Sequence, residues 1–236
     1  MDKSRGIRGR RGKAVVLVSG GLDSATTLLL AKYQGYRPFA LIFDYAQRHR
    51  REITFARCLA RWAGVPSTVV RVRLPWGGSA LLDRFRTLPT KRSLSAMSRL
   101  IPSTYVPARN TIFLSFALSY AEVLEASAIF IGANALDFSG YPDCRPVYYR
   151  DFQRLSRFAT KAAVHGKKIV IRTPLLRMSK AQIVSLGKRL GVPFQWTWSC
   201  YAGKKRPCGV CDSCILRAKG FGEAGVKDPW ELKVRS

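Results

Sequence analysis

Apolar runs alternate with amphipathic segments along the first half of the chain. Short runs rich in β-branched and aromatic residues predict four buried strands, at 14–18, 37–45, 67–74 and 127–134. Apolar residues at intervals of three or four predict three helices, at 23–34, 47–64 and 110–126. Because strands and helices alternate, the pattern predicts an α/β fold with a doubly wound parallel sheet and helices on both faces.

Polar loops follow three of the predicted strands. They read SGGLDS at 19–24, DYAQRH at 44–49 and GANALDFSGYPDC at 132–144. In a parallel sheet, ligands bind beyond the carboxyl ends of the strands. The three loops are therefore predicted to line one pocket. The polar stretch 75–107 is interpreted as a flexible excursion over that pocket.

The first loop resembles neither the Walker nor the dinucleotide-binding pattern, since it lacks both the lysine and the glycine spacing of those motifs. Gly20 and Gly21 are expected to let a ligand approach the backbone closely. The hydroxyls of Ser19 and Ser24 lie at a predicted helix N-terminus, which favours an anion. Asp23 would repel a phosphate unless a divalent ion lay between them, so the loop predicts Mg²⁺.

Four cysteines crowd near the C-terminus with the spacing C-x7-C-x2-C-x2-C: Cys200, Cys208, Cys211 and Cys214. This spacing favours a structural Zn²⁺ site on a knuckle that a helix follows, because four thiolates leave no open position for water. A [4Fe–4S] cluster also accepts four cysteines and stays open as an alternative. Cys58 is expected in the core, and Cys144 is expected to pack near the ligand.

The chain has 236 residues and a net charge of +27, from 41 Lys and Arg against 14 Asp and Glu. This excess attracts anions, so nucleic acid is one possible partner and a solvated basic surface is the alternative.

No apolar run is long enough for a membrane span or a signal peptide, and a cytoplasmic protein is expected. The expected organisation is a disordered basic arm (1–13), a nucleotide and substrate domain (14–195) and a zinc-binding region (196–236).

Residues 19–24 resemble the pyrophosphate loop of the ATP pyrophosphatase (PP-loop) superfamily. That resemblance implies ATP as a cofactor and a Rossmann-like fold of the adenine nucleotide alpha hydrolase type. It implies nucleotide binding by Val18, Ser19, Gly20, Gly21, Leu22, Asp23, Ser24, Ala25, Thr26, Thr27 and Leu28.

Most of the remaining chain resembles the QueC family. The matching stretches, in order, are FDYAQRHR (43–50), TYVPARNTIFLS (104–115), IFIGANALDFSGYPDCRP (129–146), TPLLRMSKAQIVSLG (173–187) and WSCYAGKKRPCGVCDSCILRAKGF (198–221). The resemblance implies an ATP-dependent ligase that converts 7-carboxy-7-deazaguanine and ammonia to the nitrile, a queuosine and archaeosine precursor. Adenylation would activate first the carboxylate and then the amide. Family members commonly form homodimers.

The resemblance also implies roles for individual residues. The catalytic set is Asp23, Ser24, Arg109 and Lys180. The expected substrate contacts are Gln47, Asn110, Asn134, Asp137, Tyr141 and Asp143. His49 is interpreted as a residue at the start of a helix and not as a general base.

Two other functions compete with this interpretation. A tRNA-thiolating enzyme of the same superfamily would explain the charge, but it needs an iron–sulfur cluster or a persulfide-carrying cysteine, and only Cys144 is placed for that role. A zinc-knuckle nucleic-acid-binding protein would leave the loop at 19–24 and the other two polar loops unexplained.

Overall fold

The sheet of this protein is parallel throughout, as the sequence predicts. The computed structural model describes residues 11–83, 85–93, 97, 101–136 and 141–231. Within them the strands are β1 (Lys13–Leu17), β2 (Arg37–Asp44), β3 (Ser67–Arg71), β4 (Ala128–Phe130) and β5 (Val170–Arg172). Their order across the sheet is β3-β2-β1-β4-β5. The four predicted strands are confirmed. Strand β5 was not predicted, because its apolar run (169–171) has only three residues between two basic ones, whereas β4 lies in the longer run 128–133.

The helices of the described residues are α1 (Leu22–Tyr33), α2 (Arg51–Trp62), α3 (Arg109–Val123), α4 (Pro146–Ser156), α5 (Lys161–Val164), α6 (Lys180–Leu190) and α7 (Asp212–Glu223). Single turns of 3₁₀ helix lie at Pro142–Cys144 and Phe194–Trp196. Helix α2 starts four residues later than predicted. The buried side chain of Gln47 bonds the backbone at Phe43 and Tyr45, which stabilises a turn where the helix was expected to begin.

Two hydrophobic cores cover the two faces of the sheet. Along β1, Ala14 and Val16 face one core, whereas Val15 and Leu17 face the other. The first core contains apolar residues of α1, α2 and α6, and the second contains those of α3 and α4. Burial on both faces is the arrangement that a parallel sheet requires, and it explains why the strand sequences are continuously apolar.

The C-terminal region packs directly on the sheet domain. The N–H of Trp198 donates a hydrogen bond to the carbonyl of Gly20, and Phe221 of α7 belongs to the first core. Arg217 and Asp228, both buried, form a two-pronged ion pair that ties α7 to the segment after it. The boundary predicted at residue 195 therefore joins two parts that share a core.

The N-terminal arm and the excursion differ in detail from the predictions. Lys13 already pairs with Arg37 in β1, so the strand begins inside the predicted arm, while residues 1–10 lie outside the described part. In the stretch predicted as an excursion, Leu81 is buried in the second core. Farther along, the N–H of Lys91 donates to the carbonyl of Val210, which ties this stretch to the cysteine knuckle.

Two further observations concern exposure. Cys58 is exposed, so its expected place in the core is wrong: the apolar face of α2 is formed by its neighbours Ala56, Leu59 and Ala60. Among the described residues, no helix has both the length and the apolar character needed to cross a membrane.

Candidate active site and metal centre

A cavity of about 240 Å³ opens at the carboxyl ends of β1, β2 and β4. It lies where the chain order reverses between β1 and β4, the position at which open α/β sheets bind ligands. Ser19, Tyr45 and Asn134 represent the three polar loops in its wall. The prediction that these loops line one pocket is confirmed.

The loop 19–24 forms a hydrogen-bonded turn at the start of α1. The hydroxyls of Ser19 and Ser24 lie 3.2 Å apart, and Ser24 Oγ donates to the carbonyl of Gly21 at 3.0 Å. No side chain caps the helix at Gly21. The first N–H groups of a helix have no partner within it, and they carry the positive end of the helix dipole. The cavity is therefore suited to an anion at this point.

Gly20 serves the fold rather than the ligand. Its φ is +84°, and a Cβ there would lie 2.2 Å from the carbonyl oxygen of Glu52 on α2. The direction in which a side chain of residue 20 would project thus faces helix α2, not the cavity. The expected close approach of a ligand fits Gly21 better, since Gly21 lines the cavity and a Cβ there would meet no atom nearer than 3.4 Å.

The predicted nucleotide-binding stretch divides into two parts. The cavity wall contains Val18, Ser19, Gly21, Leu22, Asp23 and Ser24. The four residues after them are buried in helix α1 away from the cavity: Ala25, Thr26, Thr27 and Leu28. The two threonine hydroxyls donate to carbonyls one turn earlier in the helix. These four residues support the loop from behind, and their predicted contact with the nucleotide is not borne out by the cavity wall.

Lys180 and Asp23 form an ion pair in the cavity wall. The Nζ atom of Lys180 lies 2.9 Å from each carboxylate oxygen of Asp23, although the two residues are far apart in sequence. Ser179 and Gln182 form a capping box that fixes the start of α6 at Lys180. Gly220 of α7 leaves room for the lysine, since a Cβ there would lie 2.3 Å from Lys180 Cγ. Lys180 was expected to neutralise a phosphate, and in this structure it neutralises Asp23.

Arg109 lies beside a group of buried tyrosines. Its Nη1 atom donates to the hydroxyl of Tyr45 at 3.2 Å, and both residues line the cavity. The hydroxyl of Tyr141 bonds that of Thr104 at 3.0 Å. Burial raises the pKa of Tyr45 to about 12, although Arg109 opposes the shift. At neutral pH these phenols are therefore protonated, and the guanidinium supplies the positive charge on this side of the cavity.

Asn110 and Asp143 bond each other. The N–H of Asn110 donates to the carboxylate of Asp143 at 3.0 Å, and its side-chain amide donates to the carbonyl of Asp143 and to Cys144 Sγ. Asp143 thereby caps α3, which has no cap of its own. Asn110 lines the cavity, whereas Asp143 lies outside its wall and holds the start of α3, so the substrate contact of Asp143 stays a prediction.

The other predicted substrate contacts have three different outcomes. Asn134 lines the cavity, and its amide also donates to the carbonyls of Leu175 and Met178. Gln47 is fully buried outside the cavity wall, where it holds Glu52 by a hydrogen bond of 2.9 Å. The substrate contact of Gln47 stays a prediction, and in this structure its side chain bonds Glu52, which does line the cavity. Asp137 lies outside the described residues.

The cavity also contains Glu52 and six residues of the knuckle region, which sequence reasoning did not assign to it, whereas His49 belongs to the polar loop 44–49 that was predicted to line it. His49 and Glu52 contribute one wall, and their side chains meet at 3.0 Å between Nε2 and Oε2. The knuckle region contributes Trp198, Ser199, Tyr201, Ser213, Leu216 and Arg217. Glu52 stands three residues after His49, near the start of α2. Side chains at this spacing meet at a helix start, so the sequence pattern could have predicted the contact between them. For the knuckle residues, the cysteine spacing predicts a metal site but not a contribution of their neighbours to the cavity.

The four knuckle cysteines converge as predicted. Their sulfur atoms all lie within 4.8 Å of one another, and three of the four side chains are buried. The N–H of Cys208 donates to Cys200 Sγ at 3.3 Å, and the N–H of Cys211 donates to Cys208 Sγ at 3.4 Å. Such N–H···S bonds stabilise thiolates. The donor set thus fits a tetrahedral Zn²⁺ with four sulfur ligands.

Comparison with known proteins identifies relatives over most of the chain. The profile of the family described as queuosine biosynthesis protein QueC matches residues 13–225. A 7-cyano-7-deazaguanine synthase from Trichodesmium erythraeum (strain IMS101) is 54% identical over 92% of this chain and 99% of its own length. A protein of the same name from Anaeromyxobacter dehalogenans (strain 2CP-C) is 54% identical over 92% of this chain and 94% of its own length.

Proposed function

The chain belongs to the QueC family of queuosine biosynthesis proteins, and from this premise we propose that its cavity converts 7-carboxy-7-deazaguanine and ammonia to 7-cyano-7-deazaguanine. The observation that supports this most strongly is the 54% identity, over 92% of the chain, to a protein named for that product. A carboxylate is a poor electrophile, so the reaction needs ATP to convert its oxygen into a leaving group. The same activation of the amide then permits dehydration to the nitrile.

We propose that the β and γ phosphates of ATP bind the loop 19–24. The uncapped N-terminus of α1 and the hydroxyls of Ser19 and Ser24 are suited to these anions. We place Mg²⁺ at Asp23, whose side chain retains partial exposure to the cavity and which Lys180 holds in one orientation. ATP supplies the activation of the carboxyl and amide oxygens, while the residues of the loop bind and orient it.

The substrate is proposed to lie against Arg109 and the aromatic wall. A guanidinium binds a carboxylate through two parallel hydrogen bonds, and Arg109 already has one N–H on Tyr45 to fix its plane. Phe43 and Phe113 stack with ring centroids 3.9 Å apart and line the same cavity, which suits a flat bicyclic ring. Asn110, Asn134 and Tyr141 supply hydrogen-bonding groups in this wall.

Gln47 and Asp143 are proposed to act through other residues. Gln47 holds Glu52 and the backbone of Tyr45, and Asp143 holds the start of α3, on which Arg109 and Asn110 stand. A contact between Asp137 and the ring edge of the substrate stays a prediction. Zinc at the knuckle is proposed to be structural, because its four cysteines fill a tetrahedral site.

The thiolating alternative is disfavoured by the state of Cys144. Burial, together with the charge of Asp143, raises the pKa of this thiol to about 12. A persulfide carrier needs a thiolate, and at neutral pH this sulfur stays protonated. The nucleic-acid-binding alternative is disfavoured by the placement of the knuckle, since its residues Trp198 and Tyr201 line the cavity. RNA binding at the basic surface stays a separate prediction.

The proposed reaction is tested with purified protein, 7-carboxy-7-deazaguanine, ATP, Mg²⁺ and ammonium chloride, with mass-spectrometric detection. We expect the amide as a transient and the nitrile as the product. An Asp23→Asn variant with normal zinc content is expected to form neither. ATP bound but unspent in the unchanged protein would contradict the proposal.

The assembly is tested on the same preparation. We propose a homodimer, by likeness to the family, and light scattering coupled to gel filtration measures its mass. A mass equal to one 26.4 kDa chain at micromolar concentration would contradict the dimer without affecting the proposed reaction.

A further inference from the structure

One wall of the cavity contains a histidine and a carboxylate to which the roles above give no task. His49 Nε2 and Glu52 Oε2 are 3.0 Å apart, and Glu52 Oε1 accepts a hydrogen bond of 2.9 Å from Gln47. Both His49 and Glu52 line the cavity, and His49 is only 3% exposed. These two polar contacts thus fix one imidazole in the wall of the cavity.

Only one of the two imidazole nitrogens, Nε2, has a hydrogen-bond partner among the described residues. Because the carboxylate of Glu52 accepts from Nε2, the proton of the neutral ring is on Nε2 and the lone pair is on Nδ1. Nδ1 is buried and has no hydrogen-bond partner among the described residues. A buried acceptor without a donor lowers stability, which indicates that a donor arrives with a ligand.

The charges of the cavity indicate what that ligand is. Asp23 and Glu52 are the carboxylates of its described wall, and Asp23 is neutralised by Lys180. Asp23 is also the residue to which Mg²⁺ is assigned above. Glu52, which bonds Gln47 and His49, is therefore the remaining carboxylate whose charge attracts a small cation. The rings of Tyr201 and Trp198 belong to the same wall, and aromatic faces attract cations. The Tyr201 ring centroid lies 5.5 Å from that of His49.

The position also fits the reaction. The charges of both Arg109 and Glu52 act on the hydroxyl of Tyr45, so the proposed carboxylate anchor and this acidic group are both near Tyr45. A nucleophile held beside His49 would share one cavity with the carboxyl group that ATP activates. Ammonia exists in neutral water almost entirely as ammonium, which has no lone pair and cannot attack.

We propose that Glu52 and His49 form the site at which ammonium is bound and deprotonated. This inference rests on the proposed function. An N–H bond of ammonium breaks, its electron pair stays on nitrogen, and the proton moves to His49 Nδ1. The resulting imidazolium is stabilised by Glu52. The ammonia then forms a C–N bond to the activated carboxyl carbon while the C–O bond to the departing AMP breaks, and the second proton that the nitrogen loses leaves on the phosphate of AMP. His49 returns its own proton to solvent when the products leave.

The test separates the ammonium step from the step before it. Substrate-dependent exchange of labelled pyrophosphate into ATP reports activation of the carboxylate and needs no ammonia. Amide formation is then measured with two nucleophiles, ammonium chloride and hydroxylamine. Hydroxylamine is neutral at pH 7 and needs no base to attack. The variants are His49→Gln and Glu52→Gln, and the control is His165→Gln, which changes the other, exposed histidine of the chain.

We expect both variants to keep pyrophosphate exchange and the use of hydroxylamine. With ammonium at pH 7, His49→Gln should form amide about 100-fold more slowly. Glu52→Gln should raise the KM for ammonium about 10-fold, because it removes the charge that attracts the cation. Equal loss with both nucleophiles, or no loss with ammonium, would overturn the proposal. Absence of exchange in the unchanged protein would instead overturn the proposed function.

A measurement on the unchanged protein covers the case in which the variants do not fold. The groups facing His49 are Glu52 beside it and Tyr201 of the knuckle, and burial keeps the pKa of Tyr201 well above its usual value. Because the proposed site takes up the cation and removes its proton, kcat/KM for total ammonium should rise by well under about tenfold per pH unit between about pH 7 and 9. A continued rise of about tenfold per pH unit, which tracks free ammonia, would overturn the proposal.

Discussion

Lys180 is a charged side chain in a nearly buried position, with only 8% of its surface exposed. Its stability there depends on the carboxylate of Asp23, which accepts from it through both oxygens at 2.9 Å. Removal of one partner leaves the other charge without compensation in the wall. At this position, the residues proposed to bind Mg²⁺ and phosphate also stabilise the fold.

Asp23→Ala is therefore expected to lower the free energy of unfolding by about 2 kcal/mol, in addition to abolishing pyrophosphate exchange. Urea unfolding measures this change. The double variant Asp23→Ala with Lys180→Ala should recover part of the loss, since it removes the uncompensated charge. A single variant as stable as the unchanged protein would show that the pair contributes nothing to folding.

Gly20 and Gly64 allow a comparison of how much a glycine-to-alanine change lowers the free energy of unfolding with and without a steric clash. Both have positive φ, +84° and +63°, but a Cβ on Gly20 would collide with the backbone of α2, whereas a Cβ on Gly64 would meet no atom within 4 Å. Gly64→Ala should cost about 1 kcal/mol from the left-handed backbone alone. Gly20→Ala should cost more than about 3 kcal/mol, as measured by thermal unfolding. Equal costs would contradict the assigned contact with Glu52.

Two cysteines outside the knuckle should differ in reactivity. Cys58 is exposed, whereas burial raises the pKa of Cys144 to about 12. At pH 8, iodoacetamide should modify Cys58 within minutes and leave Cys144 unmodified, as peptide mass spectrometry will show. Because the folded pKa of Cys144 lies above its unfolded value of about 9, this thiol stabilises the fold below pH 9, and its contribution falls as the pH rises toward 12. Rapid modification of Cys144 in folded protein would contradict its burial.

At the residue scale, sequence reasoning succeeded where the residue type itself is restrictive. The four cysteines, and the serines and aspartate of the loop 19–24, lie where the pattern predicts. It was less successful with amides and carboxylates in polar loops. Gln47 and Asp143 have the chemistry of ligand-binding residues, yet both bond the backbone. Whether such a side chain binds a ligand or bonds the backbone depends on its orientation in the folded protein, which the sequence alone does not determine.

Among the elements, α6 depends on its first turn. Ser179 accepts from the N–H of Gln182 at 3.2 Å, and the Gln182 side chain accepts from the N–H of Ser179 at 2.8 Å. This capping box sets the direction in which Lys180 leaves the helix. The helix start thereby links a local sequence pattern to the geometry of the cavity.

Ser179→Ala is expected to lower the free energy of unfolding by about 1 kcal/mol and to reduce pyrophosphate exchange. Ser115→Ala is the matched control, because Ser115 is exposed within α3 and bonds only the carbonyl of Thr111. The control should change stability by less than about 0.5 kcal/mol. An equal effect of the two substitutions, measured by urea unfolding, would contradict the role of the cap.

Element prediction from sequence followed the length of each apolar run. Strand β2 has eight residues and was evident, and the three residues of β4 lie within the longer apolar run 128–133. The apolar run around β5, at the sheet edge, has only three residues (169–171). Such a short strand is defined by its neighbour rather than by its own pattern. The start of α2 was misplaced for a related reason, since the bonds of Gln47 to the backbone compete with the helix.

For the whole molecule, the cysteine knuckle joins three parts of the fold. Trp198 bonds the loop 19–24 through the carbonyl of Gly20, and Tyr201 lines the cavity. On the other side, Thr90 pairs with Cys211, and Arg92 forms an ion pair of 3.0 Å with Asp212. The four cysteines are therefore flanked by residues that line the cavity, although none of the cysteines lines it. The sequence pattern predicted the four metal-ligating cysteines but not the tertiary contacts of the knuckle.

Zinc removal should accordingly affect more than the knuckle. We expect about one zinc per chain by elemental analysis. A strong chelator should lower the melting temperature and increase protease cleavage around residues 88–92, because the pairing of that stretch with Cys211 is lost. Cleavage near Gly166, in an exposed loop far from the knuckle in sequence, is the internal control and should not change. Equal cleavage at both places with and without zinc would contradict the coupling.

The cavity wall extends along the chain from Leu17 to Arg217, so its first and last members are separated by most of the polypeptide. During synthesis on a ribosome, the loop 19–24 emerges early, but Trp198, Tyr201 and Arg217 follow only when the chain is nearly finished. A half-made or prematurely terminated chain therefore contains the loop 19–24 without the wall that encloses it. The site to which we assign ATP is thus complete only once nearly the whole chain has been translated.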